Sequence, residues 1–203
     1  MSLVILFFIA LYIAVLVAAT VLPYKFGLKR GWARPKCRLA ATGGFLLVFL
    51  PVFWDWIPTI WLHSYYCEKY SGLTVYKTLE QWTQENPGAA ATLVRQKPPL
   101  QVGPEDHYYY QLNQRFRWEV QRAERPFGVR RRDDRIVDSS TGTVVAQLTD
   151  FSTGIAGPNA PSRGFRDIKV WMNRNYCEGD GNMVSRKEFA QLRLKFETLG
   201  GQQ

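Results

Sequence analysis

Apolar and polar positions divide the chain into two parts with different periods. From Leu3 to Leu22 the run "LVILFFIALYIAVLVAATVL" carries no charge. Its length of about 20 residues suits the roughly 30 Å hydrocarbon core of a bilayer. A second run, "LAATGGFLLVFLPVFWDWIPTIWL", extends from Leu39 to Leu62 and is uncharged as far as Trp54. Trp54, Trp56 and Trp61 crowd its end, as in the aromatic belts of lipid–water boundaries. The pattern predicts two transmembrane helices, residues 1–24 and 39–62, with Pro58 ending the second. Gly43 and Gly44 permit close helix approach. Asp55, among the boundary tryptophans, is expected to reach water. The start "MSLV" has no basic residue, and the first run is longer than a signal peptide's apolar region, which argues against a cleaved leader.

Past His63 the period shortens. "TVYKT" reads as strand-like, and "KTLEQWTQE" as a helix stopped by Asn86, Pro87 and Gly88. Prolines 98, 99 and 104 mark a loop. In "YYYQLNQRFRWEVQRAE", Phe116, Trp118 and Val120 alternate with Arg115, Arg117, Glu119 and Gln121, the period of a half-buried strand. "DRIVDSSTGTVVAQLTDFSTG" predicts a hairpin around "SSTG", with Gly142 in the turn. "TGIAGPNAPSRG" reads as a Gly/Pro-rich loop and "FRDIKVWM" as a further strand. At the end, Ser185 and Glu188 have capping-box spacing, and Phe189, Leu192, Phe196 and Leu199 fall on one helical face. The expected fold class is α+β: two N-terminal transmembrane helices, then a domain over 63–203 with an antiparallel β-meander and a C-terminal helix.

Charge adds an orientation. The net charge is +9, and six basic residues with no acidic one lie in "KFGLKRGWARPKCR", residues 25–38. A short basic loop between two spans belongs on the cytoplasmic side. The N-terminus and residues 63–203 are then outside the cytoplasm, and a bacterial inner membrane with a periplasmic domain is the expected setting. Cysteine number agrees with that arrangement. Cys37 lies in the basic loop, while Cys67 and Cys177 share the outer compartment, where disulfides persist. A Cys67–Cys177 bond is predicted.

Candidate chemistry is sparse. "CEGDGNMVSRKEF" resembles the end of a calcium loop, but glycines fall where oxygen ligands belong. His63 and His107 lack metal-ligand spacing, and Ser71 and Ser152 lack a nucleophile elbow. His107 near Glu105 and Asp106, and the aspartates 133, 134 and 138, are the nearest approach to acid–base sets. The adjoining arginines make ion pairs the default for those aspartates. No catalytic, cofactor or metal site is expected. Eight arginines fall between Arg115 and Arg135, interleaved with aromatic residues. In the cytoplasm this would read as a nucleic-acid surface; outside it, the candidate partners are anionic lipid headgroups, a cell-wall polymer or an acidic protein face. Arg115, Arg117, Trp118, Arg130, Arg131 and Arg132 are the expected partner-binding residues. The reading is a membrane-anchored accessory protein that binds another envelope protein, as an assembly factor, a subunit of a larger complex or an exclusion factor. An anionic-lipid or ligand sensor is the first alternative, and an envelope hydrolase the second.

Overall fold

The computed structural model describes residues 2–96, 101–103, 107–154 and 169–200, which fall into two compact units, Met1–Pro58 and Thr59–Gln203. The first holds helices α1 (Ser2–Lys29) and α2 (Arg34–Phe53). They pack antiparallel: Tyr12 meets Val48, Ala19 meets Gly44 and Gly27 meets Cys37. A Cβ at Gly44 would collide with the Ala19 carbonyl, so glycine sets this approach; Gly43 faces open space. Phe45, Phe49 and Phe53 stack along one edge of α2 at 5.1 and 4.6 Å. Two helices cannot bury each other's apolar sides, and Leu22, Leu39 and Leu47 are 64%, 74% and 76% exposed. Both helices are long and apolar enough to cross a membrane.

Two boundaries differ from the sequence reading. The basic stretch 25–38 is mostly helix: Lys25 and Lys29 ride on α1, and Arg34, Lys36 and Arg38 on α2. Only residues 30–33 turn the chain. Lys29 suits the negative end of the α1 dipole, and Pro35 suits the first turn of α2. The second apolar run is likewise not one helix. It breaks after Phe53, and α3 (Trp56–Tyr70) restarts the path. Pro58 opens α3 instead of ending α2, because a proline in the first turn forfeits no hydrogen bond. Asp55, at the break, is buried and does not lie open to water.

The second unit is built on a six-stranded antiparallel sheet in the order β1-β6-β5-β4-β3-β2. The strands are β1 (Gly72–Val75), β2 (Gln101–Val102), β3 (His107–Gln111), β4 (Phe116–Glu124), β5 (Arg130–Asp138) and β6 (Thr143–Ser152). Strands β2 to β6 form a meander, and β1 closes the far edge by pairing with β6. Helices α4 (Leu79–Glu85) and α5 (Ala89–Thr92) lie between β1 and β2, and α6 (Asp180–Glu197) closes the described chain. Thr78 and Gln81 form a capping box on α4. Phe116, Ile136, Ala146 and Leu148 on the sheet pack with Trp82 of α4 and with Phe189 and Phe196 of α6. Leu192 and Leu199 join them from the edge. Gly142 turns the β5–β6 hairpin with φ 71°, as its place in "SSTG" requires.

The run from Tyr108 to Glu124 is two strands, not one. Buried Asn113 makes the turn between β3 and β4, accepting from the Arg115 and Phe116 amides at 3.0 and 2.8 Å. Its own amide donates to the Phe196 carbonyl of α6 at 2.8 Å. Helix α6 begins at Asp180, one and a half turns before the Ser185–Glu188 pair, which therefore caps nothing. The described part of "FRDIKVWM" is a 3₁₀ turn over Val170–Met172 and not a strand. The loop read in "TGIAGPNAPSRG" lies, apart from its first residues, outside the described residues.

Candidate functional site

Strand alternation divides the expected arginine surface. Register places Trp118 opposite Ile136 and Arg117 opposite Val137, so Trp118, Arg130 and Arg132 share the face that carries α6. Arg117 and Arg131 share the other face. There Arg117 donates to Glu119 at 2.5 Å, and Arg131 to Asp133 at 3.0 Å. Arg130 donates to the Gly154 carbonyl at 3.3 Å. Arg115 belongs to neither face. It lies in the turn before β4, and the six residues form no single patch.

Arg115 completes a closed cluster. Its Nε lies 2.9 Å from Asp138 Oδ2, its guanidinium covers the Trp82 ring at 4.8 Å, and it also donates to Asn86 at 2.8 Å. Trp82 Nε1 donates to the same aspartate at 3.0 Å, as do the amide and hydroxyl of Ser140. Trp82 and Asp138 are 2% and 3% exposed. Burial pushes the Asp138 carboxyl up, but these donors outweigh it and hold the group below its ordinary value. Asp138 thus accepts from Arg115, Trp82 and Ser140, and Arg115 links this carboxylate to Asn86.

Trp118 belongs to an open counterpart. Its Nε1 donates to buried Asp134 at 2.9 Å, four residues before Asp138 on the same face of β5. Arg132 takes the rest of Asp134 at 2.7 and 2.9 Å. Arg193 of α6 lies over the Trp118 ring at 4.3 Å, and Tyr110 stacks on it at 4.8 Å. Arg193 makes no carboxylate pair among the described residues. Arg186, two helical turns earlier, pairs with Asp150 at 3.0 Å and covers Tyr176 at 4.2 Å. These groups border a cleft of about 290 Å³ between α6 and the sheet. Three guanidinium groups face two carboxylates there, so the cleft favours an anion that also offers flat or apolar surface. The sequence reading passed over Arg186 and Arg193. Their spacing of seven, on the same side of α6 as Phe189 and Phe196, was the available signal: basic residues set within an apolar stripe.

A second corner ties α3 to the sheet. Cys67 and Cys177 are joined by a disulfide across 110 residues, with Cα atoms 5.4 Å apart. In the chain-entropy model such a loop contributes about 4–5 kcal/mol. Thr59 donates to the Phe127 carbonyl at 2.9 Å, and Tyr66 stacks on Phe151 at 5.2 Å. His63 Nε2 lies 3.2 Å from the Phe151 carbonyl and 3.5 Å from Cys67 Sγ. Residues 59, 63, 66 and 67 form one stripe of α3. Burial lowers the His63 pKa below its ordinary value. His63, Cys67 and Cys177 bring three potential metal-ligand atoms within 4.8 Å. Both sulfurs are spent on each other, however, and a disulfide sulfur is not the thiolate that a metal requires.

The acid–base candidates are engaged in pairs or separated. His107 Nε2 lies 3.5 Å from Glu119 across β3 and β4; Glu105 and Asp106 lie outside the described residues. Asp133 accepts from Thr149 at 2.7 Å on the face opposite Asp134 and Asp138. "CEGDGNMVSRKEF" is helical from Asp180 onward, which leaves no calcium-loop geometry. No family model, curated protein or solved structure matches this chain.

Proposed function

We propose that the chain is a membrane-anchored, non-enzymatic binding protein of the bacterial envelope, and that the cleft under α6 holds an acidic segment of another envelope protein. In this reading α1 and α2 lie in the inner membrane, their basic turn faces the cytoplasm, and the unit from Thr59 onward is periplasmic. Two apolar helices, the placing of the six basic residues and the Cys67–Cys177 bond support the location. The observation that carries the binding role is Arg193 on the half-buried Trp118 ring, at the mouth of a cleft bordered by two further arginines. Arginine and tryptophan in a partly desolvated recess are the composition of interface hot spots.

A photo-crosslinking amino acid at Ala190, an exposed residue bordering the cleft, tests the proposal in living cells. The expected result is one protein adduct, with its yield falling at least tenfold on Arg193→Glu. Adducts to lipid alone would favour the anionic-lipid reading, and no adduct would overturn both. Location has its own test. A cysteine at Thr141 should react with a membrane-impermeant maleimide once the outer membrane is opened; reaction only after cell lysis would reverse the topology.

A further inference from the structure

The corner that joins α3 to the chain before α6 holds a third donor beside its two sulfurs. His63 and Cys67 stand four residues apart on α3, so their side chains share a face one turn apart. Cys177 reaches them from 110 residues further on, a set that linear spacing does not announce. His63 Nε2 lies 3.2 Å from the Phe151 carbonyl. A carbonyl only accepts, so Nε2 carries the ring proton and Nδ1 keeps its lone pair. Cys67 Sγ lies 3.9 Å from Nδ1 and 3.5 Å from Nε2. Nitrogen and sulfur on one tetrahedral zinc ion stand about 3.6 Å apart, given bonds of roughly 2.1 and 2.3 Å. The Phe151 carbonyl is the kind of outer partner that fixes the tautomer and tilt of a ligating imidazole. The backbone of Cys177 is held as well: its amide donates to Asp150 at 2.8 Å, and its carbonyl accepts from Arg186 at 3.0 Å. A recess of about 270 Å³ borders His63 and Cys67, and Ser64, Glu68, Glu178 and Asn182 give it polar walls.

We propose that reduction turns this corner into a zinc site: His63 Nδ1 and the thiolates of Cys67 and Cys177 bind one Zn²⁺, and the fourth position opens on the recess. Three protein ligands with one open position make a zinc centre that takes water or an outside ligand. Metal and disulfide exclude each other, since zinc needs both sulfurs as thiolates. A dithiol reductant opens the bond. Its thiolate attacks Cys67 Sγ, the half-buried sulfur, because Cys177 is fully buried. The S–S bond breaks and Cys177 leaves as a thiolate. The reductant's second thiolate then displaces Cys67 and closes a disulfide within the reductant. Two electrons pass to the chain, and the two protons of the dithiol pass to water as zinc takes both thiolates. Zinc then ties α3 to the segment before α6 in place of the covalent bond.

The test uses the full chain in detergent with Cys37→Ser, reduced by a phosphine that is then removed without air, and cobalt(II) as the probe. The reduced chain should bind one cobalt, with sulfur-to-metal charge transfer in the near ultraviolet and the intense visible bands of tetrahedral cobalt. Equimolar zinc should bleach both and slow alkylation of the two thiols several-fold. The oxidised chain should bind none. His63→Gln keeps both cysteines, so the oxidised chain still forms its bond. Once reduced, it should hold cobalt more than about tenfold less tightly, since even outer partners of a ligand are worth that much. Near-ultraviolet circular dichroism follows the fold, and any signal lost on reduction should return with zinc. A reduced chain that binds no cobalt, that binds it equally well after His63→Gln, or that zinc fails to refold overturns the proposal.

Discussion

Two tryptophans on this domain sit in clusters of the same parts and opposite use. Trp82 and Trp118 each donate an indole N–H to a buried aspartate of β5, and each carries a guanidinium on its ring. At Trp82 the stacked arginine and the paired arginine are the same residue, Arg115, and the group is sealed. At Trp118 the roles are divided. Arg132 neutralises Asp134, and Arg193 covers the ring from another element. A cation that answers its own carboxylate is finished chemistry. Arg193, over the Trp118 ring, has no carboxylate pair among the described residues. Counting arginines does not separate these cases; tracing which carboxylate each one satisfies does.

The comparison breaks most visibly at the sealed cluster. Asp138→Ala strands a half-buried guanidinium and a buried indole N–H, and should lower unfolding stability by about 3–5 kcal/mol in urea titration. Trp82→Ala should cost a similar amount by cavity formation. Asp134→Ala should cost less, about 1–3 kcal/mol, since the 44%-exposed Arg132 side chain can turn to water. Equal losses at the two aspartates would erase the distinction.

Acid sharpens it further. Asp138 has a depressed pKa when folded, so its contribution is whole above the ordinary carboxylate value and is lost as pH falls through the folded value. His63 acts earlier and with the same sign. Buried and neutral, it resists a proton that the unfolded chain accepts, so stability should begin to fall below about pH 6.5. His63→Gln should flatten the first limb of a stability–pH curve and leave the second, which Asp138→Asn should flatten. The smallest effect belongs to Arg193→Gln, expected to change stability by no more than about 0.5 kcal/mol while abolishing the crosslink at Ala190. A large loss of stability there would reassign Arg193 to the fold.

Local patterns carried much of this architecture. The two apolar helices, the "SSTG" hairpin and the apolar stripe of α6 are legible because each is written in one contiguous period. So was the cysteine pairing, through compartment parity. What could not be read depends on contacts distant in sequence. The pairing of β1 with β6 joins residues about 75 positions apart. The Asn113 turn looks like strand until its amide finds the Phe196 carbonyl. The arginine-rich segment is divided because side chains along a strand alternate between faces, which sends Arg117 and Arg131 away from Trp118. The cleft itself needed α6, whose basic residues lie some 60 positions from that segment.

The Cys67–Cys177 bond also gives the molecule a line of tension. Cys177 stands three residues before α6, and Cys67 lies in the last turn of α3. A pull applied to the start of α6 would run through the sulfur bridge into the last turn of α3. The hydrogen-bonded ladders of the sheet would stay unloaded. Reduction would reroute that load through the strands, which unzip under far smaller forces than a covalent bond withstands.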